Sequence, residues 1–218
     1  MATAASVAWR VPMTHRHTIE AGDHVVRLAY DHGHERVDAV WSHPDNESLR
    51  SHRPDPGVLA PGDVVAVPDA PPRKFEHLPT RRQHRLVIPL ALPTLKLRLQ
   101  RPCDIPYAGV RCRVEIDGER SETEIGPDGD LELELGPHTR EVSLRWAGQW
   151  IELDIAFLQP VESEAGWQAR LENLGYGPGP DAYGIRSAVE EFQCDHGLSV
   201  DGEVGPKTQR ALVDAHGA

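Results

Sequence analysis

The hydrophobic positions of this chain change period along its length. Between residues 13 and 69 strand-like and helix-like stretches alternate. His17-Thr18-Ile19 reads as a strand entering the turn Ala21-Gly22-Asp23. Val25, Leu28 and Ala29 then share one face of a helix that Asp23 is placed to cap and Gly33 to stop. A second helix runs from about Arg36 through Val37, Val40 and Trp41, and Pro44 ends it. A charged loop from Glu47 to Arg53 and the Pro-rich Arg53-Pro54-Asp55-Pro56-Gly57 lead to the strand Val64-Val65-Ala66-Val67-Pro68. The order is strand, helix, helix, strand.

Residues 1–12 form a short leader before this module, and residues 70–83 a Pro-rich, charged and semi-rigid linker after it. From residue 84 to 157 the period is two. Apolar-polar alternation marks runs at 85–89, 96–100, 109–116, 119–125, 130–135, 141–146 and 149–156, separated by turn pairs such as Asp117-Gly118, Asp128-Gly129 and Ala147-Gly148. Seven short strands at this spacing predict a small antiparallel β-sandwich. Trp146 and Trp150 flank one hairpin turn, with burial at the sandwich end favoured over an exposed aromatic surface.

From 160 to 218 the period returns to 3.6. Trp167, Leu171 and Leu174 form one buried helical face; Ile185, Ala188, Val189 and Phe192 form a second. Gly175 and Gly197 stand where left-handed caps belong, Asp201-Gly202 reads as a turn, and Pro206-Lys207-Thr208 opens a third helix ending near Val213. The whole is a multidomain α+β chain: a βααβ module, an antiparallel sandwich and a three-helix C-terminal bundle.

Composition narrows the function. The 218 residues are 39% hydrophobic and 26% charged, with a net charge of −11. No part is basic, which argues against nucleic acid and anionic membranes as partners. No run of apolar residues is long enough to enter a membrane, and the N-terminus has no secretory h-region, so synthesis in the cytoplasm without a signal peptide is expected. Cys103, Cys112 and Cys194 are odd in number and lack CxxC spacing, which fits a reducing compartment and leaves a Cys103–Cys112 bridge open.

Histidines concentrate in the first module. The pairs His15-x-His17 and His32-Gly33-His34 have a chelating spacing, but no carboxylate or thiolate stands at a firm ligand distance, so no metal and no cofactor is expected. Cys194-Asp195-His196 cannot aim thiol and imidazole at each other along a helix. With no other catalytic signature present, the expectation is a non-enzyme.

Three resemblances follow. Gln168, Leu171, Leu174-Gly175-Tyr176, Phe192-Gln193, His196-Gly197-Leu198, Asp201-Gly202 and Thr208 resemble the three-helix peptidoglycan-binding domain. That family implies a non-catalytic anchor to bacterial cell wall, with Tyr176, Tyr183 and Asp201 as contact residues. Gly22-Asp23, Leu28-Ala29, Trp41, Asn46, Pro61-Gly62-Asp63 and Val67-Pro68 resemble LysM modules, which bind N-acetylglucosamine-containing glycans. The resemblance implies a groove formed by Gly22, Asp23, His24 and Pro56, Gly57, Val58. Ile105-Pro106-Tyr107-Ala108-Gly109-Val110 followed by Gly126-Pro127-Asp128-Gly129 resembles immunoglobulin-like or transthyretin-like sandwiches, which are mostly spacers or adhesion modules.

Two functions stand on these features. One is a peptidoglycan-binding protein with weak sites at both ends of a spacer, gaining avidity on a polymer. The other is a structural adaptor, with degenerate glycan sites, that docks spike, tail, cargo or effector proteins. The absence of an export signal links either to a contractile injection machine of the type VI secretion or phage-tail kind, which would deliver the protein to the periplasm or exterior.

Overall fold

The computed structural model describes residues 13–86, 92–101, 105–177, 179 and 181–217. The expected leader at 1–12 lies outside these residues, as does Cys103 of the candidate bridge; Cys112 is a buried free thiol. Helices and antiparallel strands are both present, with helices alone in the C-terminal region. The buried hydrophobic side chains sort into three clusters along the chain.

In the first region β1 (Thr14–Thr18) pairs antiparallel with β2 (Val64–Pro68), Thr14 opposite Pro68 and Thr18 opposite Val64. Between them lie α1 (Val25–Asp31), α2 (Asp38–Trp41) and α3 (Glu47–His52). Val25, Leu28, Val40, Trp41, Leu59, Val65 and Val67 form their common core. The first strand lies earlier than expected because β2 supplies backbone partners only for residues 14–18.

Two local readings are corrected here. His24, not Asp23, caps α1: its Nδ1 accepts from the Arg27 N–H at 3.4 Å. Asp23 is engaged instead by the Glu20 N–H, His17 and Arg27. The stretch expected as a charged loop after Asn46 is helix α3. Pro44 does not merely stop the chain; its fixed φ opens a 3₁₀ turn, Pro44–Asn46, that feeds α3. Glu47 in the first turn and Arg50 and His52 in the last match the helix dipole. Asn46, fully buried, ties this turn to the core. Its Nδ2 donates to the Val40 and Ala66 carbonyls at 2.8 Å each, and its Oδ1 accepts from the Ala66 N–H at 2.7 Å.

In the middle region β6 (Arg111–Ile116), β7 (Glu119–Glu124), β9 (Glu141–Trp146) and β10 (Gln149–Asp154) form one antiparallel sheet in the order β10-β9-β6-β7. β3 (Thr94–Arg98) pairs with β8 (Asp130–Glu134), and β4 (Gln100–Arg101) with β5 (Ile105–Pro106). Inward residues from several strands, among them Cys112, Val114, Leu131, Leu133, Val142 and Leu144, make a sandwich-like core. The expected strand at 96–100 is interrupted at Leu99, whose N–H donates to the Gly129 carbonyl and whose carbonyl accepts from Tyr107. Of the expected strand at 85–89, residues 87–89 lie outside the described residues, and Arg85 and Leu86 are not in a strand. The two tryptophans divide: Trp146 is buried, while Trp150 is 55% exposed.

In the last region α4 (Glu164–Asn173), α5 (Ala182–Asp195) and α6 (Pro206–His216) share a core of Leu171, Val189, Phe192 and Leu212. Side-chain oxygens cap two of them: Ser163 accepts from the Gly166 N–H and Asp181 from the Gly184 N–H. α6 runs to His216, past the expected end near Val213, because the left-handed residue that closes it is Gly217. Burying Phe192 completely stabilises this core by roughly 2–3 kcal/mol.

Candidate functional site

The C-terminal helices are joined by one buried polar side chain. Gln193, on the inner face of α5, is almost fully buried. Its Oε1 accepts from the backbone N–H groups of Asp201 and Gly202 at 3.0 Å each. Its Nε2 donates toward the Asp201 carboxylate at 2.8 Å, the Glu203 carbonyl at 3.0 Å and the Thr208 hydroxyl at 3.1 Å. One amide thereby secures the Asp201-Gly202 turn and the first turn of α6 to α5. The Asp201 carboxylate also accepts from the Glu203 N–H, and these bonds hold its pKa below the usual carboxylate value.

The three expected contact residues of this region do not converge. Tyr176 packs edge-on against Phe192, with ring centroids 5.3 Å apart, and its hydroxyl donates to Asp195 at 3.2 Å. It therefore stands at the C-terminal end of α5. Tyr183 is 83% exposed at the other end of the same helix. Twelve residues at 1.5 Å each separate Tyr183 from Asp195, about 18 Å along the axis. Asp201 lies between them, its carbonyl accepting from Arg186 and its carboxylate turned to Gln193. What the structure does gather is a cluster at the end of α5. The exposed His196 ring lies on Phe192 at 4.2 Å, and Phe192 also carries the Tyr176 ring, whose hydroxyl holds the Asp195 carboxylate. Aromatic faces beside a carboxylate acceptor suit a polyhydroxylated ligand. Asp195 and His196 are not among the contact residues expected from the sequence, because neighbours in sequence give no sign of which rings stack at the helix end.

The residues of the expected N-terminal groove are placed differently. Gly22 is buried; a Cβ there would lie 3.0 Å from the Phe157 ring, at the end of the middle region. Its φ of +84° also calls for glycine. The His24 ring is buried, and besides capping α1 it lies near the Pro137 backbone, which favours its protonated form. Burial pulls its pKa below the ordinary histidine value, and the Arg27 charge adds to this. For Asp23, burial works to raise the pKa, but His17, the Glu20 N–H and Arg27 outweigh it and keep the carboxyl acidic. Nearby, His138 reaches Asp31 at 3.2 Å and meets Tyr30 edge-on. On the second loop Gly57 is exposed, while Pro56 and Val58 are half-buried. Arg53, at the base of that loop, comes within 4.0 Å of Glu162. The first loop of the expected groove is thus covered by the chain's own residues 137 and 157.

The connector that follows is anchored by Arg170, a buried guanidinium on α4. Its Nη1 donates to the carbonyls of Gln159 and Gly166 at 2.8 Å each. Burial lowers its pKa, while the Glu162 and Asp55 carboxylates oppose that change.

The four chelation candidates have other partners. His15 contacts Asp69 at 3.1 Å, His17 contacts Asp23 at 2.8 Å, and the buried His34 ring lies 2.8 Å from the Pro68 carbonyl. His32 sits against the His15 ring at 5.6 Å, and burial with the neighbouring His15 lowers its pKa. Among the described residues no three His, Cys, Asp or Glu side chains gather in a ligand set. No described helix is long and apolar enough to cross a membrane.

Residues 167–212 match a family model described as "Putative peptidoglycan binding domain". The match covers about a fifth of the 218-residue chain and contains α5, the Gln193 linkage, Tyr176, Tyr183, Asp201 and the ring cluster at His196. No curated protein and no solved structure matches the chain.

Proposed function

We propose that this protein is a non-catalytic binder of bacterial cell-wall glycan, engaging peptidoglycan through its C-terminal helices. The observation that carries the reading is the family match over 167–212. Tyr176, Asp195 and His196 are its best contact surface, with Tyr183 and Asp201 as separate secondary contacts. The test is sedimentation of the full chain with purified peptidoglycan sacculi, beside a Tyr176→Ala, His196→Ala variant. Retention of the native chain and several-fold weaker retention of the variant are expected. A native chain left entirely in the supernatant sinks the reading.

A second reading has a specific observation in its favour. The LysM-like groove is covered at Gly22 and His24 by Phe157 and Pro137, as befits a degenerate glycan site in a structural adaptor. In this reading the protein docks spike, tail, cargo or effector proteins of a contractile injection machine, which carries it to the periplasm or exterior. Binding of N-acetylglucosamine oligomers is the discriminating measurement. The adaptor reading expects none from the native chain and none from Phe157→Ala; a gain of binding on that substitution identifies a working groove that Phe157 closes. Co-purification of a spike or tail protein from the native host establishes the adaptor.

A further inference from the structure

The outward face of the β10-β9-β6-β7 sheet carries charges that for the most part pair. Glu115 meets Arg120 at 2.9 Å and Glu122 meets Arg113 at 2.8 Å. Beside the Ala147-Gly148 turn the balance fails. Arg113 stands directly opposite Arg145 across the β6–β9 ladder, and Arg111 lies on the same face two residues away. Like charges facing each other across strands cost stability. Among the described residues neither Arg111 nor Arg145 forms an ion pair within 4.0 Å, although Arg111 stands opposite Glu124 across the β6–β7 ladder and feels the Glu122 charge. Arg145 instead lies over the exposed Trp150 ring, its guanidinium carbon 5.1 Å from the centroid. Together they line an open hollow of about 570 Å³ on a chain whose net charge is −11.

Glu122 also lines the hollow and pairs with Arg113, so three guanidinium groups share one carboxylate there. That surplus of arginine on an acidic protein is complementary to further carboxylates, which guanidinium forks bind in pairs. The flat, solvent-facing indole offers an apolar platform for the C–H face of a sugar ring. An extended polyphosphate fits less well, because beyond the hollow it would meet the acidic remainder of the surface. We propose that this hollow is a second peptidoglycan subsite, with a sugar ring on Trp150 and stem-peptide carboxylates in the forks of Arg111, Arg113 and Arg145. The proposal rests on the wall-binding reading above and extends it to the middle region, whose resemblance implies a spacer or adhesion module.

The experiment is sedimentation of the full chain with native sacculi and with sacculi whose carboxyl groups have been amidated. Arg113→Gln with Arg145→Gln, and separately Trp150→Ala, are compared with Arg98→Gln plus Arg120→Gln, which removes equal charge elsewhere in the middle region. Circular dichroism checks that each variant folds. The expected result is an affinity for native sacculi about tenfold weaker in the first two variants, the former losing charge-assisted contacts and the latter the apolar platform. The control pair should bind like the native chain, and amidated sacculi should abolish the difference between native protein and the Arg113, Arg145 variant. If the native chain binds and neither variant nor amidation changes its binding, the subsite is overturned and the wall-binding reading survives. If the native chain does not bind sacculi, both fall.

Discussion

Replacing Gln193 by leucine tests the claim that one side chain holds the last helices together. The substitution keeps the volume and removes every hydrogen bond. An amide has two donor hydrogens and two acceptor lone pairs, so the five contacts of Gln193 amount to four bonds, one donor being shared. At about 1 kcal/mol net for each bond the loss is about 4 kcal/mol. Asp201 and Glu203 are exposed, so water replaces part of this, which leaves about 2–3 kcal/mol. Hydrogen exchange read by mass spectrometry on peptides from α4 to α6 isolates this region from the other cores. Protection there should fall by roughly 30- to 150-fold, since each 1.4 kcal/mol is a factor of ten. Peptides from β6 to β10 should be unchanged. A decrease of less than about threefold would refute the view that Gln193 joins α5 to α6.

Three further outcomes follow from the same geometry. Asn46→Ala should destabilise the first region by about 3 kcal/mol, because the Val40 and Ala66 backbone groups lose buried partners; urea unfolding followed at Trp41 measures it. Gly166→Ala should cost about 1–3 kcal/mol, since a Cβ would stand 2.0 Å from the Pro160 carbonyl oxygen and backbone must move to admit it; exchange at α4 reports the loss. Stability should decline as pH falls below about 6.5, the ordinary histidine value. His24 and His216 are both held lower than this in the folded chain, by burial first, so the unfolded chain takes up protons more readily. The His24 contribution is present above that pH and lost as pH falls through its folded value, when Nδ1 gains a proton and can no longer cap α1. Thermal unfolding from pH 8 to 5 should show this slope, and His24→Asn, which keeps an acceptor at the cap, should flatten it.

Much of the local structure was legible because it follows from short-range rules. Period-two alternation marked six of the strands from β3 to β10, and 3.6-residue spacing marked α1, α4 and α5. Gly175 and Gly197 do adopt the positive φ expected of helix-ending glycines, +90° and +63°. The misreadings have the same root in reverse. Pro44 reads as a stop in the sequence, whereas the turn it opens is secured by Asn46 bonds to a strand 20 residues away. Asp23 looked like the cap of α1, but His17, the Glu20 N–H and Arg27 claim its carboxylate.

Sequence by itself determined most of the elements, their order and the peptidoglycan-binding pattern at 167–212, because hydrophobic period, caps and turn glycines all act within a few residues. Only the tertiary structure decided which candidate residues share a surface. Tyr176 and Tyr183 lie seven residues apart in sequence, yet they stand at opposite ends of α5, while Tyr176 and His196 both pack on Phe192. Gly22 and His24 belong to an open groove in the sequence pattern, but Phe157 and Pro137, more than a hundred residues away, lie against them. Arg113 and Arg145 face each other only through the register of β6 and β9. Each of these outcomes depends on long-range packing, and no period along the chain encodes it.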